Sequence, residues 1–235
     1  MAAPSARPSL RVPVQARALR TRAALLEAAE RELSERGHAA TTAQSIAARA
    51  GVATGSFYQY FADKDAALRD VAAERLDALE RRLLALDSPL AAKTPRDPRR
   101  AVLAILDSVL DYHREDRGLH AVLTERRHVD AELDRLTHAS EQRLVQHLEQ
   151  LLRRLSVRGD LEARAFVLYG LIEGCVHAHV LATPMLPDVR LRKALCDAVL
   201  AVATSPSAAA TTSTTTSTTK TKITTKARAT RGHRR

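Results

Sequence analysis

The sequence predicts an all-α fold, with an N-terminal three-helix unit and a larger C-terminal helical domain. Three observations carry this. Alanine, leucine and arginine dominate while glycine is scarce, apolar residues recur at three- and four-residue spacing, and runs of alternating β-branched residues are absent. At 235 residues the chain is long enough for two cores.

The formal charge of +10 is concentrated at the ends. Residues 1–22 hold five arginines and no acid, and residues 206–235 hold seven lysines or arginines and no acid. Removing these 12 from the 37 basic residues leaves 25 against 27 acidic ones, so the body is near neutral and carries two basic arms, 1–18 and 204–235. Such arms point to a polyanion, nucleic acid before an anionic membrane surface, with a solvated solubility tail as the alternative for the second. That Thr-, Ser- and Ala-rich tail has too little hydrophobicity to fold and is expected to be disordered, raising non-specific DNA affinity.

In residues 21–36, Leu25, Ala28, Ala29 and Leu33 line one side of a helix and Glu27, Glu30, Arg31 and Glu35 the other, with Gly37 as the stop. Thr41 or Thr42 then caps a short helix that turns Ile46, Ala47 and Ala50 inward and closes at Gly51. After a three-residue turn, residues 54–61 form a third helix, TGSFYQYF. Four of the seven aromatic residues of the chain fall within its last five positions. On a helical wheel Phe57 and Phe61 share one side, while Gly55, Ser56, Tyr58 and Gln59 point away from them. The phenylalanines anchor this helix, and the other face offers hydroxyls and an amide to phosphates and base edges, with Gly55 permitting close backbone approach. The bland alternative is that Tyr58 and Tyr60 are half-buried packing residues. Asp63 caps a fourth helix carrying Leu68, Val71, Leu76, Leu79 and Leu83, expected to end near Leu86.

Two short helices joined by a glycine-containing turn make a helix-turn-helix, about residues 41–61, whose second helix can enter a DNA major groove. Over residues 21–68 the sequence resembles the tetracycline-repressor (TetR) family: Gly37, Thr42 ahead of Ile46-Ala47, Ala50-Gly51-Val52, Gly55, Tyr58, Tyr60-Phe61 and Lys64. The resemblance implies a DNA-binding domain over 19–68 and a helical effector-binding and dimerisation domain over 69–203. It also implies phosphate contacts from Thr42, Tyr60 and Lys64, and base or backbone contacts from Gln44, Thr54, Gly55, Ser56, Tyr58 and Gln59. Two positions depart from the family pattern. Ala53 stands where a serine often caps the recognition helix, so Thr54 is expected to cap instead, and Ala67 replaces a larger apolar residue.

DSPLAAKTPRDP reads as a linker, and Asp97 with Pro98 as the N-cap and first residue of the next helix, which carries Val102, Ile105, Leu106, Val109 and Leu110. A shorter segment begins near Leu119. A long helix from about Asp130 stripes Leu133, Leu136, Leu144, Leu148, Leu151 and Leu155, and Gly159-Asp160 ends it and starts the next. That next helix, to Thr183, carries Phe166, Gly170, Gly174 and Ala178 in a line, and the last helix from Asp188 offers Leu191, Leu195, Ala198, Val199 and Val202. Both read as a homodimer surface, in keeping with the dimerisation of TetR relatives through their last two helices; packing inside one subunit gives the same pattern.

Cys175 and Cys196 imply no disulfide framework, and with no apolar leader in the first 30 residues the expected location is cytoplasmic. The apolar run 165–182 is broken by Glu173, His177 and His179 and reads as a buried helix, not a membrane span. A metal reading of Cys175, His177 and His179 fails because residues two apart face different sides of a helix; Glu173 and His177 share a face and read as a hydrogen-bonded polar pair. With no phosphate loop, nucleophile elbow or carboxylate pair, the chain is not expected to be an enzyme, and no cofactor or metal is implied. The overall expectation is a homodimeric repressor on a palindromic double-stranded DNA operator, released by a small hydrophobic effector held near Tyr112, Phe166, Tyr169 and Glu173. The alternative is a ligand-independent DNA-architectural protein using its basic arms.

Overall fold

The computed structural model describes residues 14–92 and 97–205. Among them are nine helices and no strand: α1 (Val14–Ala40), α2 (Ala43–Arg49), α3 (Thr54–Phe57), α4 (Lys64–Ala92), α5 (Pro98–Glu115), α6 (Arg117–Arg127), α7 (Ala131–Arg154), α8 (Leu161–Val180) and α9 (Asp188–Thr204). Residues 1–13 of the first basic arm and 206–235 of the tail lie outside the described residues, while residues 14–18 are the first turns of α1.

Gly37, at φ 73° and ψ 170°, breaks the α1 path where its left-handed backbone costs least. The Thr41 hydroxyl donates to the Gly37 carbonyl at 2.8 Å, leaving Thr42 to cap α2. Thr42 accepts from the Ser45 amide at 3.0 Å and its own amide donates to the Ser45 hydroxyl at 3.1 Å, a reciprocal cap that fixes the start of α2. Arg49 then forks onto Glu32 at 2.7 Å and Glu35 at 2.9 Å, tying α2 to α1.

Two cores result. The first joins Leu25, Leu33, Ile46, Phe57, Phe61 and Leu68 with Leu119 and Val122 of α6 and Leu133 of α7, so the helix-turn-helix unit is closed by helices of the C-terminal region. The second gathers Leu106 and Leu110 of α5, Leu168 and Val176 of α8, and Leu195 and Val199 of α9. α4 serves both, through Leu68 and Val71 at one end and Leu83 at the other. Its 29 residues span about 43 Å. The expected end near Leu86 is corrected: α4 runs on to Ala92.

The α9 stripe follows the second of its two readings, packing inside one subunit: Leu191, Leu195 and Val199 are buried in the second core, and Ala198 and Val202 are half-buried. On α8 the line Phe166, Gly170, Gly174 and Ala178 is exposed. No helix is long and apolar enough to cross a membrane among the described residues.

Candidate nucleic-acid interface and effector cavity

The α2–α3 unit is held from behind by Ile46, Ala47 and Phe57, all fully buried. Gly51, at φ 69°, makes the turn between the two helices. α3 is a single helical turn; hydrogen-bonded turns continue it, with the Phe61 amide donating to the Phe57 carbonyl at 3.0 Å, so the expected helix over 54–61 is shorter than its wheel implied. Phe57 and Phe61 pack with centroids 5.4 Å apart and planes tilted by 40°, the anchoring role their spacing predicts. Ala53 is the N-cap and offers no side-chain bond, and Thr54 occupies the first helical position without capping. The expected substitute cap is therefore absent, which leaves the Thr54 hydroxyl unengaged by that role.

Thr42, Gln44, Thr54, Gly55, Tyr58 and Gln59 are exposed on this unit, and Ser56 and Tyr60 are half-buried. Tyr58 is 59% exposed, with its ring edge-on to Phe57 at 5.4 Å, so its base is packed while its hydroxyl reaches outward. A Cβ added to Gly55 would meet nothing within 4 Å, so that stretch of backbone is open to a close partner. Lys64 differs from the expected free phosphate ligand. Its ammonium donates to the carbonyls of His38 at 2.7 Å and Thr41 at 3.0 Å, clamping the start of α4 to the end of α1. Only one of its three N–H groups is left for a phosphate. Arg17 and Arg20 near the start of α1 are exposed cations that the sequence reading left inside a general charge count.

A cavity of about 300 Å³ lies among α4, α5, α6, α7 and α8. Tyr112, Tyr169 and Glu173 line it, as the sequence reading expected, together with His113, His120, Arg127, Glu141 and His177. Phe166 does not. It is 66% exposed and borders an open groove between α7 and α8, because it lies three residues before Tyr169 and about 60° around the helix from it. An apolar crevice of about 60 Å³ adjoins Tyr169 and Glu173, walled by Leu79, Leu83, Val109 and Leu148 among others.

The Tyr112 hydroxyl donates to the Arg75 carbonyl at 3.0 Å, and burial pushes its pKa up to about 12. Burial likewise raises the Tyr169 phenol, with the Glu173 charge adding to it. The less expected feature is a histidine cluster. His113 Nε2 lies 3.3 Å from Glu173 Oε1, His177 Nε2 lies 3.0 Å from the same oxygen, and the two imidazole nitrogens are 3.0 Å apart. His120 stacks on His113 with centroids 4.5 Å apart and planes at 20°. Burial alone would raise Glu173, but His113 and His177 outweigh it and hold the carboxyl far below the usual range. Burial and the neighbouring imidazoles push His120 down to about 3. Sequence spacing had compared only Cys175, His177 and His179. His179 instead pairs with Asp188 at 2.7 Å, and the partners of His177 come from α5 and α6. The Glu173–His177 pair was the visible signal; its completion from two other helices was not visible.

The helix α6, which lines the cavity through His120 and Leu123, also packs on α1. Asp116 caps α6, accepting from the Leu119 amide at 2.8 Å, and also accepts from the Ser34 hydroxyl of α1. Gly118 approaches so closely that an added Cβ would lie 2.1 Å from the Ser34 carbonyl oxygen. Further along α6, Arg126 reaches Asp65 of α4 at 3.3 Å.

Comparison with known proteins agrees with this geometry. Residues 25–71 match the family model for bacterial regulatory proteins of the tetR family, and residues 97–202 match the tetracyclin repressor-like C-terminal domain. The HTH-type transcriptional regulator BetI of Burkholderia cenocepacia J2315 is 33% identical over 158 residues, 65% of this chain and 78% of the relative. Among solved structures, a TetR-family regulator from Mesorhizobium loti superposes with a TM-score of 0.68 at 16% identity, covering 79% of this chain and 96% of that one. A regulator from Saccharomonospora viridis in complex with choline gives a TM-score of 0.62 at 18% identity, covering 76% and 95%. The chain belongs to the TetR family of bacterial regulatory proteins and is a DNA-binding transcriptional regulator, not an enzyme.

Proposed function

We propose that this regulator is a homodimeric repressor that leaves a palindromic operator when a small effector enters the cavity among α4–α8. The observation that carries the reading is the shared position of α6. It contributes His120, Leu123 and Arg127 to the cavity wall, and through Gly118 it packs against the Ser34 carbonyl of α1. An effector that draws on α6 therefore acts on the helix packed against α1, to which Arg49 ties α2. Release requires differential affinity: a tenfold loss of operator binding needs the effector to prefer the non-binding form by about 1.4 kcal/mol.

Exposed Thr42, Gln44, Thr54, Gly55, Tyr58 and Gln59, with half-buried Ser56 and Tyr60, form the DNA face in this reading, with Lys64 acting mainly as its clamp. The apolar crevice beside Tyr169 favours an effector with a largely hydrophobic body, and the cavity's carboxylate and phenols favour a polar or cationic end. Choline, bound by the Saccharomonospora viridis regulator, is a suitable first cationic probe. The exposed line Phe166, Gly170, Gly174 and Ala178 on α8 supports a dimer face.

The test begins by selecting bound fragments from random DNA, then measuring subunit stoichiometry on the selected site. A short palindrome bound by two chains supports the repressor; uniform, salt-sensitive coating of any DNA supports the architectural alternative. Metabolites that raise the melting temperature are then titrated against the complex. Hits that dissociate DNA and lose affinity on Tyr169→Ala support the effector site, and ligands that bind the cavity without changing operator affinity overturn it.

A further inference from the structure

The histidine cluster in the cavity wall brings two imidazole nitrogens and one carboxylate oxygen to a single point. His113 Nδ1 faces the Val109 carbonyl at 2.8 Å and must donate to it, since a carbonyl oxygen only accepts. In the neutral ring, Nε2 then presents a lone pair, and it faces a second acceptor, Glu173 Oε1, at 3.3 Å. His177 Nε2 closes the triangle at 3.0 Å from both. With a proton on each Nε2, both rings donate to the carboxylate, which is the proton-held form of this triangle. In that form the two N–H groups lie side by side across a 3.0 Å edge. A single cation at the centre is the other arrangement in which all three atoms turn toward one partner.

The dimensions fit one kind of cation. Metal–nitrogen and metal–oxygen bonds of 2.0–2.1 Å in tetrahedral geometry separate neighbouring ligand atoms by about 3.3 Å. The observed edges of 3.0–3.3 Å are close to that. The ligand atoms of His113, His120 and His177 all lie within 4.8 Å of one another, so a small movement of the stacked His120 ring completes a four-ligand set. Imidazole nitrogens with one carboxylate suit zinc and its first-row neighbours rather than magnesium or calcium, which prefer oxygen. The Val109 carbonyl supplies the outer hydrogen bond that fixes the tautomer of a ligating histidine.

We infer that His113, His120, His177 and Glu173 form a binding site for a divalent first-row transition metal, of which zinc is the representative, in the wall of the cavity. The site stands whether or not the cavity also takes an organic effector. Its ligands come from α5, α6 and α8, so occupancy would pin α6 to two helices of the second core, and through Gly118 bear on α1.

The test is a titration of the metal-stripped full-length chain with Co²⁺, followed by competition with Zn²⁺. The expected result is one Co²⁺ per chain with the visible absorption of a low-coordinate cobalt site, displaced stoichiometrically by Zn²⁺. His177, at 34% side-chain exposure, is removable without emptying the core, so His177→Ala is the first variant and Glu173→Gln the second, with circular dichroism confirming the fold of each. Affinity should fall by more than about 100-fold in His177→Ala, beyond what losing an outer partner costs. Absence of the cobalt bands in the wild type, or unchanged affinity and spectrum in both folded variants, overturns the site: the cluster is then a proton-held network, or the metal sits on histidines elsewhere. Neither result bears on whether organic ligands release DNA.

Discussion

Gly118 of α6 lies against the backbone carbonyl of Ser34 of α1, so close that no larger residue fits without moving one helix: a Cβ would stand 2.1 Å from that oxygen. The clash is with backbone, which cannot rotate away as a side-chain tip can. This contact joins α1 to α6, the helix that carries His120 and Leu123 into the cavity wall.

Gly118→Ala is therefore expected to destabilise the fold by about 1–3 kcal/mol, the usual cost of overpacking, and to change operator affinity through the displaced α6. Denaturant unfolding and operator titration measure the two effects. Gly55→Ala is the contrasting substitution, because its Cβ would meet nothing within 4 Å. It should leave stability within about 0.5 kcal/mol and weaken operator binding alone. Equal stability of the two variants would show that the α1–α6 joint yields freely.

Lys64→Met tests which role the ammonium plays. Removing its bonds to the carbonyls of His38 and Thr41 should cost about 1.5–3 kcal/mol, as for other hydrogen bonds to charged groups. If the clamp is its main work, the salt dependence of DNA binding by the folded variant stays that of the wild type. A slope reduced by about one unit would assign Lys64 a phosphate contact after all.

Tyr58 combines an exposed hydroxyl with a ring packed edge-on against Phe57. Tyr58→Phe keeps the packing and removes only the hydroxyl, whereas Tyr58→Ala removes both. Operator affinity should fall in both variants while stability changes mainly in Tyr58→Ala, by about 0.5–1.5 kcal/mol for the lost ring pair. Wild-type operator affinity in the phenylalanine variant would take the hydroxyl out of the DNA face.

The elements of this fold were legible where a local rule governs them. Asp97 with Pro98, Asp130 and Asp160 all cap the helices that their positions predict. The paired phenylalanines and the exposed tyrosine of the recognition segment follow from helical spacing alone. Periodicity shows which face of a helix is apolar but not what covers it. Thus Leu191 and Leu195, whose spacing fits a dimer surface and a subunit interior alike, are covered by their own subunit, and Phe166, expected at the cavity, points away from it. Lys64 was hidden for a related reason, since its partners are carbonyls 23 and 26 residues earlier in the chain. The histidine cluster is the extreme case, with His113 and Glu173 60 residues apart and joined only by the packing of α5 on α8.

The last prediction concerns pH and the junction of α4 with α7. Asp130 caps α7, accepting from the amides of Glu132 and Leu133 at 3.0 Å each, and also accepts from the Arg69 guanidinium at 2.7 Å. Burial would by itself raise its pKa, but the Leu133 amide and the Arg69 charge outweigh it, so the folded carboxyl titrates below its ordinary value. A depressed carboxyl stabilises the fold at every pH above its unfolded pKa of about 3.9, and that contribution disappears as pH falls through the lower folded value. Asp130→Asn retains a good capping residue and removes the charge, leaving Arg69 only the longer 3.5 Å contact to Glu132. Asp130→Ala removes the cap as well, at about 1–2 kcal/mol near neutral pH. Unfolding measured from about pH 7 downward should show the gap between wild type and Asp130→Asn nearly constant to about pH 5 and closing below about pH 4. A gap that persists unchanged at the acid end would mean that the carboxylate charge contributes nothing at this junction, and that Asp130 acts through its cap geometry alone.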